Sequence, residues 1–279
     1  MLPPSLYVVF GFTVSAMLLG WVYFRRYRLT RPPIGVFNLG DVAVMVGAII
    51  LVPFLYLALP LWFVAGFLAL AMLGILYFTL EPVLQSRWAM WLVSLVLLGA
   101  DVWTNLRFGA SSLPFVLVNN IVLILAVVGA TNLWVQGGMK ARDITVLAGV
   151  LTVYDVIATS FLPLMEDLFA RLARIPFAPV VAWGAGSDQV SIGLGDLLLM
   201  TTFALVMHKA FGRSAGIAAL AINLVALGAL LALLVLGNVL VIVPVMTVLG
   251  PLMVVQYVYW LRRRGFERTT QQYLQADAL

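Results

Sequence analysis

Chemistry in this chain has few places to reside. It contains no cysteine and one histidine, His208, which excludes disulfides, thiolate metal sites and cysteine nucleophiles and leaves no His-rich metal cluster. A Ser-His-Asp triad is disfavoured on the same ground. Acidic residues remain, and inside a bilayer they are costly and usually functional. Of the eleven, Asp41, Glu81, Asp143, Glu166, Asp167, Asp188, Glu267 and Asp277 fall at expected helix ends, in loops or in the tail, where capping or solvation accounts for them. Asp101, beside Trp103 and Asn105, is expected at a membrane interface. Two stand within apolar sequence: Asp155, in Val153-Tyr154-Asp155-Val156-Ile157, and Asp196, in Gly193-Leu194-Gly195-Asp196-Leu197. Two carboxyls sharing a site cannot both ionise easily, so one retains its proton. The ionised member can take a proton from a water held between them. The protonated member can polarise a peptide carbonyl and later protonate the departing amine. Peptide hydrolysis by such a pair needs no histidine, thiol, metal or other cofactor.

The elements that must position this pair are membrane spans. The 279 residues are 64% apolar and 10% charged, with a mean hydropathy of +1.11. Soluble domains average about 45–50% apolar and about 25% charged, so a soluble fold is excluded. Nine spans of about 20 residues would take roughly 180 of the 279 positions and leave no room for a separate soluble domain. The expected architecture is a single all-α membrane domain over 1–279. Its first five spans (about 5–135) form a scaffold, and spans six to nine (about 143–261) form the catalytic part.

The charges mark the boundaries. Span one runs over 5–24, and its basic flank follows it, the reverse of a cleavable signal peptide. The 39 uncharged residues of 42–80 suit two spans turning at Pro60. Spans four and five are expected over 88–105 and 113–135, with Gly137-Gly138 as a break. Asp143 caps a sixth span ending near 162. Within 163–189, Leu164, Leu168, Leu172 and Ile175 recur at helical spacing, which predicts a short amphipathic helix at the membrane surface. A seventh span covers 190–211, and the 48 uncharged residues of 214–261 hold two more with a break at Gly237-Asn238. Asp155 then lies about 10 Å from the end of span six and Asp196 about 9 Å from the start of span seven. One connection joins those two ends, so the carboxyls are expected at matching depth on neighbouring helices. The glycines flanking Leu194 permit a loosened helix start and close approach by another backbone.

Of the 16 Lys and Arg residues, 13 fall on the side holding the C-terminus and three on the other. Cytoplasmic loops carry the excess of basic residues. The N-terminus is therefore expected outside and the C-terminus in the cytoplasm, and the net charge of +5 reports topology rather than nucleic acid. Compactness without targeting extensions suggests a prokaryotic plasma membrane.

At these residues the sequence resembles the presenilin and signal peptide peptidase family of intramembrane aspartyl proteases. That family carries Tyr-Asp in its sixth span and Gly-x-Gly-Asp in its seventh, as Tyr154-Asp155 and Gly193-Leu194-Gly195-Asp196 do here. The likeness extends over roughly 143–260. It implies a presenilin-like fold of nine helices, with Asp155 and Asp196 catalytic and Tyr154, Gly193, Leu194 and Gly195 supporting them. It further implies substrate docking near Ile192, Val243 and Pro244, no cofactor, and no obligatory subunits. The expected partners are the bilayer and transmembrane helices of substrate proteins, which must unwind to expose a bond, pairing as a strand before Gly193 or near Pro244. The family's Pro-Ala-Leu motif is replaced by Val241-Ile242-Val243-Pro244, with Gly250 and Pro251 beyond it. The charge pattern matches the signal peptide peptidase orientation, which implies type II substrates.

Other readings compete. Prepilin peptidases also carry GxGD but typically place a Lys two residues beyond the Asp, where this chain has Leu198. A proton- or cation-coupled transporter could use the same acids, or they could simply pack spans. His208 and Lys209 are expected at an interface, Asn119 and Asn120 between helices, and the tryptophans mostly toward lipid.

Overall fold

The computed structural model describes residues 3–29, 37–161, 164–184, 189–236 and 245–276. Helices dominate, and they follow the uncharged runs. They are α1 (Pro4–Arg26), α2 (Leu39–Ala58), α3 (Leu61–Leu84), α4 (Arg87–Phe108) and α5 (Leu113–Gln136), then α6 (Ala141–Val156), which continues into a π-helical turn at Ile157–Phe161. After these come α7 (Leu164–Leu172), strands β1 (Val180–Trp183) and β2 (Val190–Gly193), α8 (Leu194–Phe211), α9 (Arg213–Leu236), α10 (Val245–Arg264) and α11 (Thr270–Ala276). Among the described residues eight helices, α1 to α5 and α8 to α10, are long and apolar enough to cross a membrane. This is a multi-pass membrane protein. Its outward apolar side chains agree: Trp88 is 86% exposed and Val44 72%, and acyl chains are the fitting neighbours for such a surface.

Pro60 separates α2 from α3 as expected, standing at the N-cap of α3, where its missing N–H costs nothing. α6 has 16 residues and reaches the length expected of span six through the π-helical turn that follows it. The seventh span does not begin at 190. Residues 190–193 form β2, antiparallel to β1 with Val181 opposite Ile192 and Ala182 opposite Ser191, and the helix starts at Leu194. A short apolar run is compatible with strand or helix, and here backbone pairing decides. The expected break at Gly237-Asn238 lies outside the described residues, as do Asp188, Asp277, Val243 and Pro244.

The chain divides into two compact units, and three of the five boundaries between them fall inside α2, α5 and α8. The first comprises Met1–Tyr27, Val52–Ala130 and Leu164–Leu197. In it the Tyr23 hydroxyl of α1 donates to the Thr79 carbonyl of α3 at 2.9 Å, and Phe12 packs its ring on Trp183 of β1. α7 is amphipathic as expected, but Leu164, Leu172 and Ile175 are buried within the protein, and Arg171 donates to the Leu59 carbonyl. Leu168, between Leu164 and Leu172 in the stripe, is half-buried. The second unit comprises Arg28–Leu51, Thr131–Pro163 and Leu198–Leu279. Its tightest helix pair is α6 with α10.

Candidate active site

Asp196 belongs to the first unit. It is the third residue of α8, where an acidic side chain is favoured by the helix dipole. Asp196 does not lie about 9 Å inside a helix that begins at 190: it stands in the first turn, because the strand occupies the residues before it. Leu194 N–H donates to the Pro179 carbonyl at 2.9 Å, which fixes the point where β2 becomes α8. The Asp196 carboxyl folds back over Gly193, for a Cβ on that glycine would lie 3.1 Å from Asp196 Oδ2. The first glycine of the motif therefore makes room for the acid. Gly195 is exposed and a Cβ there would meet nothing within 4 Å, and Ile192 is buried in β2.

Asp155 belongs to the second unit, next to last in α6 and just before the π-helical turn. Its Oδ2 accepts from Met246 N–H at 3.0 Å. Met246 is the second residue of α10, so the carboxylate satisfies one of the N–H groups that a helix start leaves unpaired. One turn back, the Thr152 hydroxyl lies 2.8 Å from the Ala148 carbonyl and 3.2 Å from the Met246 carbonyl. The two helices meet so closely that a Cβ on Gly250 would lie 1.9 Å from Thr152 Oγ1 and 2.9 Å from the Ala148 carbonyl oxygen. Tyr154, the other half of the Tyr-Asp motif, has a buried hydroxyl with no hydrogen-bond partner among the described residues.

Several polar residues find their partners within the protein. Asp101 is fully buried, and its Oδ2 accepts from Phe177 N–H at 2.8 Å. Asn119 and Asn120 do not bridge helices. Asn119 donates to the Ala178 and Val180 carbonyls at 3.0 and 3.2 Å. Asn120 donates to the Ala182 carbonyl at 2.8 Å and accepts from its N–H at 3.1 Å. Adjacent amides in an apolar span are the signal in the sequence, and the partner they reach is strand β1.

Lys209 is buried within the protein, and its ammonium donates to the Val135 and Met139 carbonyls and to Thr270 Oγ1. Glu267 caps the start of α6, accepting from Ala141 and Arg142 N–H. Burial pushes its carboxyl above the ordinary range, against the opposing pull of those N–H groups and the Lys209 ammonium. Among the described residues no group of His, Asp and Glu is arranged to hold a metal ion.

Compared with known proteins, the sequence matches no model of a protein family and no curated protein.

Proposed function

We propose that this protein is an intramembrane aspartyl endopeptidase of the presenilin and signal peptide peptidase type, cleaving transmembrane segments with a water activated by Asp155 and Asp196. The observation that carries the reading is the setting of Asp155. Its carboxyl holds the first turn of α10 at 3.0 Å, immediately after the Val241–Pro244 stretch that stands where the family has Pro-Ala-Leu. Asp101 is fully buried and accepts from Phe177 N–H, whereas Asp155 is half-buried, as Asp196 is. In this reading α6 with its π-helical turn counts as a ninth span. The N-terminus lies outside and the C-terminus in the cytoplasm, so water reaches the aspartates from the extracytoplasmic side.

Chemically, the ionised carboxylate takes a proton from the water while the protonated partner donates to the scissile carbonyl oxygen. A tetrahedral diol forms, and a proton passed to the amide nitrogen releases the amine. A substrate helix satisfies its own backbone groups and must unwind first. β2 pairs with a strand along one edge in the two-stranded sheet, which supports the strand-pairing expectation for the residues before Gly193. The test is reconstitution of the purified chain with a type II model substrate, with and without an aspartyl transition-state inhibitor. Cleavage should be inhibitor-sensitive, and Asp155→Asn and Asp196→Asn should each abolish it while keeping the parent's helical circular dichroism. Cleavage surviving in either variant overturns the reading.

A further inference from the structure

The first unit holds a polar cluster with no part in the chemistry above. A two-stranded ribbon is marginal by itself. In apolar surroundings every unpaired backbone group along its outer edge is costly. The outer edge of β1 is not left unpaired. Asn120 presents its amide to Ala182 as a neighbouring strand would, donating through Nδ2 and accepting through Oδ1. Asn119 holds the Ala178 and Val180 carbonyls, and Asp101 holds Phe177 N–H, at a residue whose φ is +61°. Phe115 and Val116, one turn before the two asparagines, pack against Ala178, Val180 and Trp183.

β1 in turn fixes β2 by its register, and the Pro179 carbonyl fixes Leu194 N–H at 2.9 Å. Asp196 follows two residues later. We propose that Asn119 and Asn120 are positioning residues, standing in for a third strand so that the β1–β2 ribbon holds the start of α8 and its aspartate in place. Their catalytic consequence rests on the hydrolase reading given above. Their mechanical role does not.

The ribbon offers its own control. Ala182 directs both backbone groups to Asn120, so Ala182 and Ser191 form a non-hydrogen-bonded pair. Such pairs have Cα atoms about 4.5 Å apart, within the disulfide range of about 4.4–6.8 Å. With no native cysteine, an Ala182→Cys/Ser191→Cys pair can form one defined cross-link under a mild oxidant.

The experiment uses the full chain in lipid, as parent, Asn120→Ala, Asn120→Asp, and Asn120→Ala carrying the cysteine pair. Asn120→Ala should speed hydrogen exchange at the amides of 190–194 and lower kcat on the order of 10–100-fold, the scale of a misplacement near 1 Å, with KM nearly unchanged. Asn120→Asp keeps the acceptor for Ala182 N–H and loses the donor, so it should fall between and cover the case of an unfolded alanine variant. Oxidising the cysteine pair should restore kcat and protection, and reduction should remove both. Unchanged exchange at 190–194, or a disulfide that restores neither quantity, overturns the proposal. If the parent chain cleaves nothing, the hydrolase reading fails and the exchange measurements alone decide whether the asparagines hold the ribbon.

Discussion

The two glycines of Gly193-Leu194-Gly195-Asp196 are not equivalent. A methyl group on Gly193 would press on Asp196 Oδ2, whereas one on Gly195 enters open space. Gly193→Ala should therefore displace the carboxyl and cut cleavage at least tenfold in a kinetic assay. Gly195→Ala should raise thermal stability in detergent by roughly 0.5–1 kcal/mol, the usual gain of alanine over glycine in a helix. The acids and glycines were legible because their types and spacing are rare in so apolar a chain. What Asp155 touches was not legible, since its partner Met246 is 91 residues away and a backbone N–H carries no mark in sequence. The same limit applied to Asp101. Its partner is a backbone N–H 76 residues on.

Helices were legible because charge stops them. The runs free of Asp, Glu, Lys and Arg coincide with α2 and α3 and with α9 and α10 to within a few residues. The β1–β2 ribbon was not, because Val190-Ser191-Ile192 reads equally as the opening turn of an apolar helix and its pairing partner lies across a connection. Close helix contact also escapes pattern reasoning. Gly250 meets Thr152 and the Ala148 carbonyl, and backbone oxygen cannot move aside as a side chain can. Gly250→Ala should accordingly destabilise the α6–α10 pair by about 1–3 kcal/mol, the usual cost of overpacking. Gly74→Ala, where nothing lies within 4 Å of the added carbon, should not. Thermal unfolding of both variants in one detergent checks the contrast.

Across the whole molecule, hydropathy conveyed the multi-pass membrane class, while the internal polar clamps had to be seen. Lys209 and Glu267 tie the end of α8, the start of α6 and the tail together within the second unit. Because burial raises the Glu267 carboxyl, the folded protein holds that proton more tightly than the unfolded chain does. Its contribution to stability is full below the ordinary glutamate range. It is lost as pH rises through the raised folded value. Melting temperatures measured from pH 4 to 8 should show that decline, and Glu267→Gln, which cannot ionise, should flatten it. The same contact has a consequence for synthesis. Glu267 follows Ala141 by 126 residues, an interval a ribosome covers in roughly 6–25 s at about 5–20 residues per second. Throughout that delay the nascent helix bearing Asp155 has two bare amides at its start, so its final anchoring must wait until Glu267 has been made.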